Sequence, residues 1–112
     1  MKVSDNLYAE AVFYQLAASE GTRWASARTG RQYENALFEK LGLNARDYYV
    51  ADGSGLSLYN YVSAELEVKM LRYAYKNDNI RHHLMPALPI AGVDGTLKKR
   101  MKGTFTRDNV KA

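Results

Sequence analysis

Apolar residues recur at three- and four-residue spacings in three stretches of the chain, and residues able to start or stop a helix flank each stretch. The first runs from Ser4 to Ala18. Ser4, Asp5 and Asn6 can each cap its amino end, while Leu7, Ala11 and Ala18, with Tyr8, Val12 and Leu16 beside them, make a face expected to be core. Ser19-Glu20-Gly21-Thr22 is expected to end this helix, and the polar stretch to Gly30 reads as a connection anchored by Trp24. In the second stretch Thr29 and Gln32 form a capping box, and Tyr33, Ala36, Leu37 and Leu41 keep helical period until Lys40 and Gly42 close it. The third begins at Ser63, carries Glu65 and Glu67 where they suit an amino-terminal dipole, and stops at Asn77-Asp78-Asn79. Its stripe is Leu66, Met70 and Tyr73, widened by Val68 and Leu71.

Between the second and third helices lies Asp52-Gly53-Ser54-Gly55-Leu56-Ser57, the stretch around which the rest is organised. Two glycines alternating with an acid and a hydroxyl can take backbone angles that a Cβ resists, so a tight, shaped loop is expected there. Tyr48-Tyr49-Val50-Ala51 reads as a short strand delivering it. Downstream, Ile80 to Met85 could add one more helical turn before Pro86 and Pro89 impose an extended path. Ile90-Ala91-Gly92-Val93-Asp94-Gly95-Thr96-Leu97 is a second glycine-bearing turn, followed by an expected short basic helix to Lys102 and a tail with strand-like patches. The fold class expected is mainly α: three to four helices with at most short strands, at Tyr48 to Ala51 and near the tail.

Composition narrows this picture without redirecting it. At 112 residues, 46% apolar and 25% charged, the chain has the makings of one ordinary core. Nine tyrosines favour half-buried walls lining a surface or cleft. The net charge of +4 comes largely from Lys98, Lys99, Arg100 and Lys102; a solvated helix face is the commoner explanation of such a cluster, and nucleic acid is not expected as a partner. The absence of cysteine excludes disulfides, thiol catalysis and thiolate metal sites. No signal peptide and no apolar run of membrane-spanning length is found. His82 and His83 are adjacent and would point about 100° apart on a helix, so no metal is expected. Asp52 to Ser57 lacks the lysine and spacing of a phosphate loop, and no cofactor is expected.

Three blocks in order carry a resemblance: Ser4-Asp5-Asn6-Leu7-Tyr8-Ala9-Glu10; then Asp52-Gly53-Ser54-Gly55-Leu56-Ser57 ahead of the helix near Ser63; then Leu88-Pro89-Ile90-Ala91-Gly92-Val93-Asp94-Gly95-Thr96-Leu97. Together they closely resemble the penicillin-binding proteins of the D-alanyl-D-alanine carboxypeptidase and endopeptidase type, over nearly the whole chain. The resemblance implies a serine enzyme that forms an acyl-enzyme with peptidoglycan peptides and is acylated by β-lactams, in the periplasm or cell envelope. It implies that Ser4 relays a proton towards the leaving amine and that Asn6 holds the substrate backbone, with Asp5 facing away. Asp52, Gly53, Ser54 and Gly55, together with Gly92, Asp94 and Gly95, would shape or support the cleft wall, a structural role being preferred over substrate contact. The fold it implies is the helical region of a β-lactamase/transpeptidase-like α/β domain.

Two of the family's motifs are missing. None of the six serines is followed at the third position by lysine, so Ser-x-x-Lys, which supplies the nucleophile, is absent; so is Lys-Thr-Gly. Residues 1–112 are therefore expected to be a single partial domain, running from the Ser-x-Asn motif to just before Lys-Thr-Gly, inactive on its own. Cut from its sheet, such a piece would expose apolar surface and could self-associate. The alternative is a non-catalytic helical module that binds muropeptide or a protein partner.

Overall fold

The computed structural model describes residues 1–19, 21 and 24–112; Glu20, Thr22 and Arg23, where the first helix was expected to end and connect, lie outside the described residues. Among the described residues there are four α-helices, α1 (Asn6–Ala18), α2 (Ala27–Lys40), α3 (Ala64–Lys76) and α4 (Asp78–Ala87), with short 3-10 turns at Ala45–Asp47 and Gly95–Leu97. The mainly helical fold class is therefore as expected. The residues form two compact units, Asn6–Tyr73 in one and Met1–Asp5 with Ala74–Ala112 in the other.

In the first unit α1 packs on α2. Contact is close because Gly30 of α2 has no side chain: a Cβ there would sit 3.1 Å from Cε2 of Phe13 and 3.2 Å from the Phe13 carbonyl oxygen. The buried residues of α1 are Phe13 and Ala17, whereas Leu7, Tyr8, Val12 and Leu16, expected in the core, are 78%, 73%, 65% and 42% exposed. The reason is visible in the sequence of the helix itself. Glu10 is the single charged residue of α1, so apolar residues surround the axis and periodicity cannot choose which side meets α2.

Helix α2 begins one turn earlier than the capping box suggests. Ser26 is its cap, accepting from the Thr29 N–H at 3.2 Å, so Thr29 lies within the first turn. Phe38 is buried, Tyr33, Leu37 and Leu41 are half-buried, and Ala36 is exposed. Phe38 joins Leu43, Ala45 and Leu66 in a core cluster against which Leu41, Tyr48, Val50 and Met70 pack. The Phe38 and Tyr48 rings meet edge to face with centroids 5.8 Å apart. Helix α3 starts as expected, with Ser63 accepting from the Leu66 N–H at 3.1 Å, but Val68 and Leu71 are exposed and the buried stripe is narrower than predicted. The expected strand at Tyr48 to Ala51 is reduced to one antiparallel bridge, Tyr49 to Tyr61. Trp24, expected to anchor a connection, is 79% exposed.

In the second unit Asn77 both stops α3 and caps α4, accepting from the Ile80 N–H at 3.2 Å. Helix α4 contains Pro86, against expectation. Proline in the last turn removes only one helical hydrogen bond, and the helix ends at Leu88, whose extended backbone (φ −76°, ψ 139°) suits the residue before Pro89. The tail returns to the turn at residues 90–97: Ala91 N–H donates to Val110 at 2.9 Å, Asp108 N–H to Ala91 at 3.0 Å, and Ile90 bridges Lys111. The basic helix expected to Lys102 does not form. Arg100 N–H closes a three-residue turn on Leu97 at 2.9 Å, and Met101 is left-handed (φ 61°), so the cluster lies on consecutive turns.

Candidate active site

The Ser4-Asp5-Asn6 motif spans the two units, Ser4 and Asp5 closing the segment Met1–Asp5 and Asn6 opening α1. Ser4 and Asn6 are both exposed. Ser4 is also one of three non-glycine residues in the left-handed region among the described residues, with φ 53°. A residue with a Cβ is uncommon there, and such backbone persists where its surroundings hold it. Around Ser4 the holding is explicit. Its N–H donates to the Met1 carbonyl at 3.0 Å, closing a turn over Lys2 and Val3.

That turn is met by the second glycine-bearing loop. The Thr96 N–H donates to the Lys2 carbonyl at 3.1 Å, and the Lys2 ammonium pairs with the Asp94 carboxylate. Asp94 uses its other oxygen to accept from the Ile90 N–H at 2.8 Å, fastening the loop at its own base. The Lys2 hydrogen bond and the Ile90 N–H hold the Asp94 carboxyl below its ordinary range, and the charges of Lys2 and Lys111 act in the same direction. Gly95 is left-handed (φ 57°), and a Cβ there would lie 2.6 Å from the Lys2 carbonyl oxygen and 2.7 Å from Cβ of Pro89. Gly92 is likewise left-handed (φ 71°) and buried, its Cβ position 3.0 Å from Cγ of Arg107. Asp94 and Gly95 thus hold the segment that carries Ser4.

The central loop serves α1 in the same manner. Asp52 is its organiser. Oδ1 accepts from the Asn60 amide at 2.8 Å and the Gly55 N–H at 2.9 Å, while Oδ2 accepts from the Ser57 N–H at 2.7 Å and the Ser54 hydroxyl at 3.2 Å. The Asn60 amide foremost, then the donors at Ser57, Gly55 and Ser54, hold the Asp52 carboxyl below the usual range despite some desolvation. The loop lies against the first turns of α1: the Ser54 N–H donates to Glu10 at 3.2 Å, and a Cβ on Gly53 would sit 2.6 Å from the Ala9 carbonyl oxygen and 2.6 Å from Cβ of Phe13. Gly55 turns the chain with φ 77° and faces open space.

Within one unit the central loop packs on the helix that Asn6 opens, and within the other the later turn packs on the segment that ends in Ser4 and Asp5. Sequence reasoning found both loops but missed their partners Lys2, Glu10 and Asn60. Those contacts join residues 92, 44 and 8 positions apart, so no local pattern marks them. A carboxylate of a different kind sits on α2. Burial pushes the Glu34 carboxyl up to about 7 against the pull of Arg31, and its Oε2 is buried with no hydrogen-bond partner among the described residues.

Comparison with known proteins extends this picture. A family model described as D-Ala-D-Ala carboxypeptidase 3 (S13) matches residues 1–112. The chain is 39% identical over 100 residues to D-alanyl-D-alanine carboxypeptidase DacB of Haemophilus influenzae, covering 89% of this chain and 21% of that protein. It is 33% identical over 107 residues to penicillin-sensitive carboxypeptidase A of Dictyostelium discoideum, covering 90% of this chain and 20% of that one. The chain therefore spans about a fifth of the length of these relatives. Crystal structures of penicillin binding protein 4 (dacB) from H. influenzae match all of it at 37% identity. One, complexed with a β-lactam, has a TM-score of 0.87 and is covered over 26% of its chain; the other has a TM-score of 0.88 and is covered over 25%.

Proposed function

The chain belongs to the D-Ala-D-Ala carboxypeptidase 3 (S13) family, and from that membership we propose that it is part of a serine-type carboxypeptidase or endopeptidase acting on the D-Ala-D-Ala end, or a D-amino-acid cross-link, of peptidoglycan peptides. The observation that carries this reading is the placement of Ser4 and Asn6, both exposed around the start of α1, in a chain matched along its whole length.

In this reading a serine of a Ser-x-x-Lys motif outside residues 1–112, giving its hydroxyl proton to the lysine of that motif, attacks the carbonyl carbon of the scissile bond. The bond to the departing amine breaks as that amine takes up a proton relayed by the Ser4 hydroxyl, and an acyl-enzyme remains for water to resolve. A positioned proton relay contributes about 10² to 10⁴ in rate. The Asn6 amide can both donate to and accept from a peptide group, and gripping the substrate backbone in this way is worth about 1–3 kcal/mol. Loops 52–57 and 92–96 support the cleft wall. A β-lactam acylates the same serine, and the substrate places the enzyme in the periplasm or cell envelope.

Residues 1–112 act as a partial domain in this reading, and alone are inactive for want of the nucleophile. The exposure of Leu7, Tyr8 and Val12 on a helix that is apolar on all sides supports a larger surrounding domain. The same surface would drive self-association of the isolated piece. Covalent labelling by a fluorescent penicillin tests the reading, run on the full-length protein and on the 112-residue chain side by side. Labelling of the long form alone is the expected result. A folded long form that does not label would replace the enzyme with a binding module, and labelling of the short chain would mean that a nucleophile lies within it.

A further inference from the structure

Lys2 and Asp94 belong to none of the family motifs that carry the chemistry, yet they meet two residues before Ser4. Both side chains are about a third exposed, at 35% and 34%, and an ion pair so open to water adds little to stability. What it can do is fix geometry. The turn over Lys2 and Val3 closes on the Ser4 N–H, so any rotation of the Lys2 backbone is passed directly to the left-handed φ of Ser4. Lys2 is gripped at both ends, its carbonyl by the Thr96 N–H and its ammonium by Asp94. The grip is itself anchored: Asp94 is tied to Ile90, and the flanking Ala91 and Leu97 are buried. A glycine at position 95 is what allows the loop backbone to reach the Lys2 carbonyl at all.

We propose that the Lys2–Asp94 pair is a positioning clamp for Ser4, holding the turn that aims its hydroxyl at the leaving amine. Neither residue touches substrate. The proposal rests on the assignment of Ser4 as the proton relay, and displacing a reacting group by about 1 Å can cost on the order of 10²-fold in rate. Loss of the clamp therefore acts on kcat and leaves binding nearly untouched.

The test uses the full-length protein with Lys2→Met, Asp94→Asn, the double variant and Lys2→Arg. Two quantities are read: turnover of a D-Ala-D-Ala peptide, and amide hydrogen exchange in the peptide covering residues 1–6. Each single variant is expected to lower kcat about tenfold with KM within about twofold, and to speed exchange in that peptide about tenfold. The double variant should be no worse than the singles, because the two residues act as one unit. Lys2→Arg should recover most of kcat, since it restores the charge. Unchanged exchange in the single variants would overturn the clamp whatever the activity does. Faster exchange with unchanged kcat, or strictly multiplicative losses in the double variant, would overturn its positioning role. A wild-type protein that turns over no substrate, or a Ser4→Ala variant that turns over normally, would instead refute the relay on which the proposal rests, while the exchange data still decide whether the clamp exists.

Discussion

Replacing Gly53 by alanine places a methyl group 2.6 Å from the Ala9 carbonyl oxygen and 2.6 Å from Cβ of Phe13. Neither neighbour can yield cheaply. The first is helix backbone, and the second lies on the side of α1 that faces Gly30 of α2, where contacts are already 3.1 to 3.2 Å. Forcing a methyl group into such a space costs about 1–3 kcal/mol. The change also removes freedom from the unfolded chain, which offsets about 0.4–1 kcal/mol of that. A net loss of about 1–2 kcal/mol is expected, or a fall in Tm of about 4–8 °C per kcal/mol for a domain of this size. Urea unfolding followed by helical circular dichroism reads the difference. Gly103 is the control, because it faces open space without a left-handed backbone, and its replacement by alanine should be neutral or slightly stabilising. A Gly53→Ala variant as stable as the Gly103→Ala control would show that the central loop does not press on α1, and the account of how that loop supports the helix would fail.

Three further outcomes follow from the same structure. Phe38→Ala empties the centre of the cluster with Leu43, Ala45 and Leu66 and should cost about 3–5 kcal/mol in urea unfolding; a loss under about 1 kcal/mol would mean that the core lies elsewhere. Glu34→Gln should stabilise the protein above about pH 7 and make no difference below about pH 4.5, because a carboxyl raised from 4.5 to about 7 by burial binds a proton in the folded state and is penalised once ionised. The full shift is worth about 3 kcal/mol, and solvent screening at this half-buried site brings the expected gain to about 1–2 kcal/mol; a pH-independent difference between the proteins would contradict it. Asp52→Ala should lower the urea midpoint at pH 7, and the gap from wild type should start to narrow only as pH falls below about 4. A depressed carboxylate stabilises the fold above its unfolded value and stops doing so as pH falls through its folded one. A gap that stays the same size from pH 7 down into the acid range would argue against the charged form as the organiser.

Most of the helices were legible in the sequence, because Ser63 is a cap that acts locally, Asn77-Asp78-Asn79 marks the end of α3, and the periods of α2 and α3 are strong. What was not legible depended on information outside the local pattern. Helix α1 carries apolar residues on every side, so its buried face is decided by where Gly30 and Gly53 permit close approach. Pro86 reads as a helix stop, but in a last turn it costs too little to act as one. The basic segment after Leu97 has helix-forming residues but is too short to nucleate a helix by itself, and it follows the turns set by its neighbours. Both candidate-site loops announced themselves through their glycines. The partners that give those loops a purpose, Lys2 for one and Glu10 for the other, lie far away in sequence and carry no signal of their own.

The central claim is that Ser4 and Asn6 work on a D-Ala-D-Ala peptide, and release of D-alanine from a muropeptide pentapeptide by the full-length protein tests it most directly. The account predicts that the wild type releases D-alanine, that Ser4→Ala loses about 10² to 10⁴ in kcat, and that Asn6→Ala loses about 5- to 150-fold in kcat/KM, the equivalent of about 1–3 kcal/mol. Folded Ser4→Ala and Asn6→Ala variants that release D-alanine at the wild-type rate would contradict it.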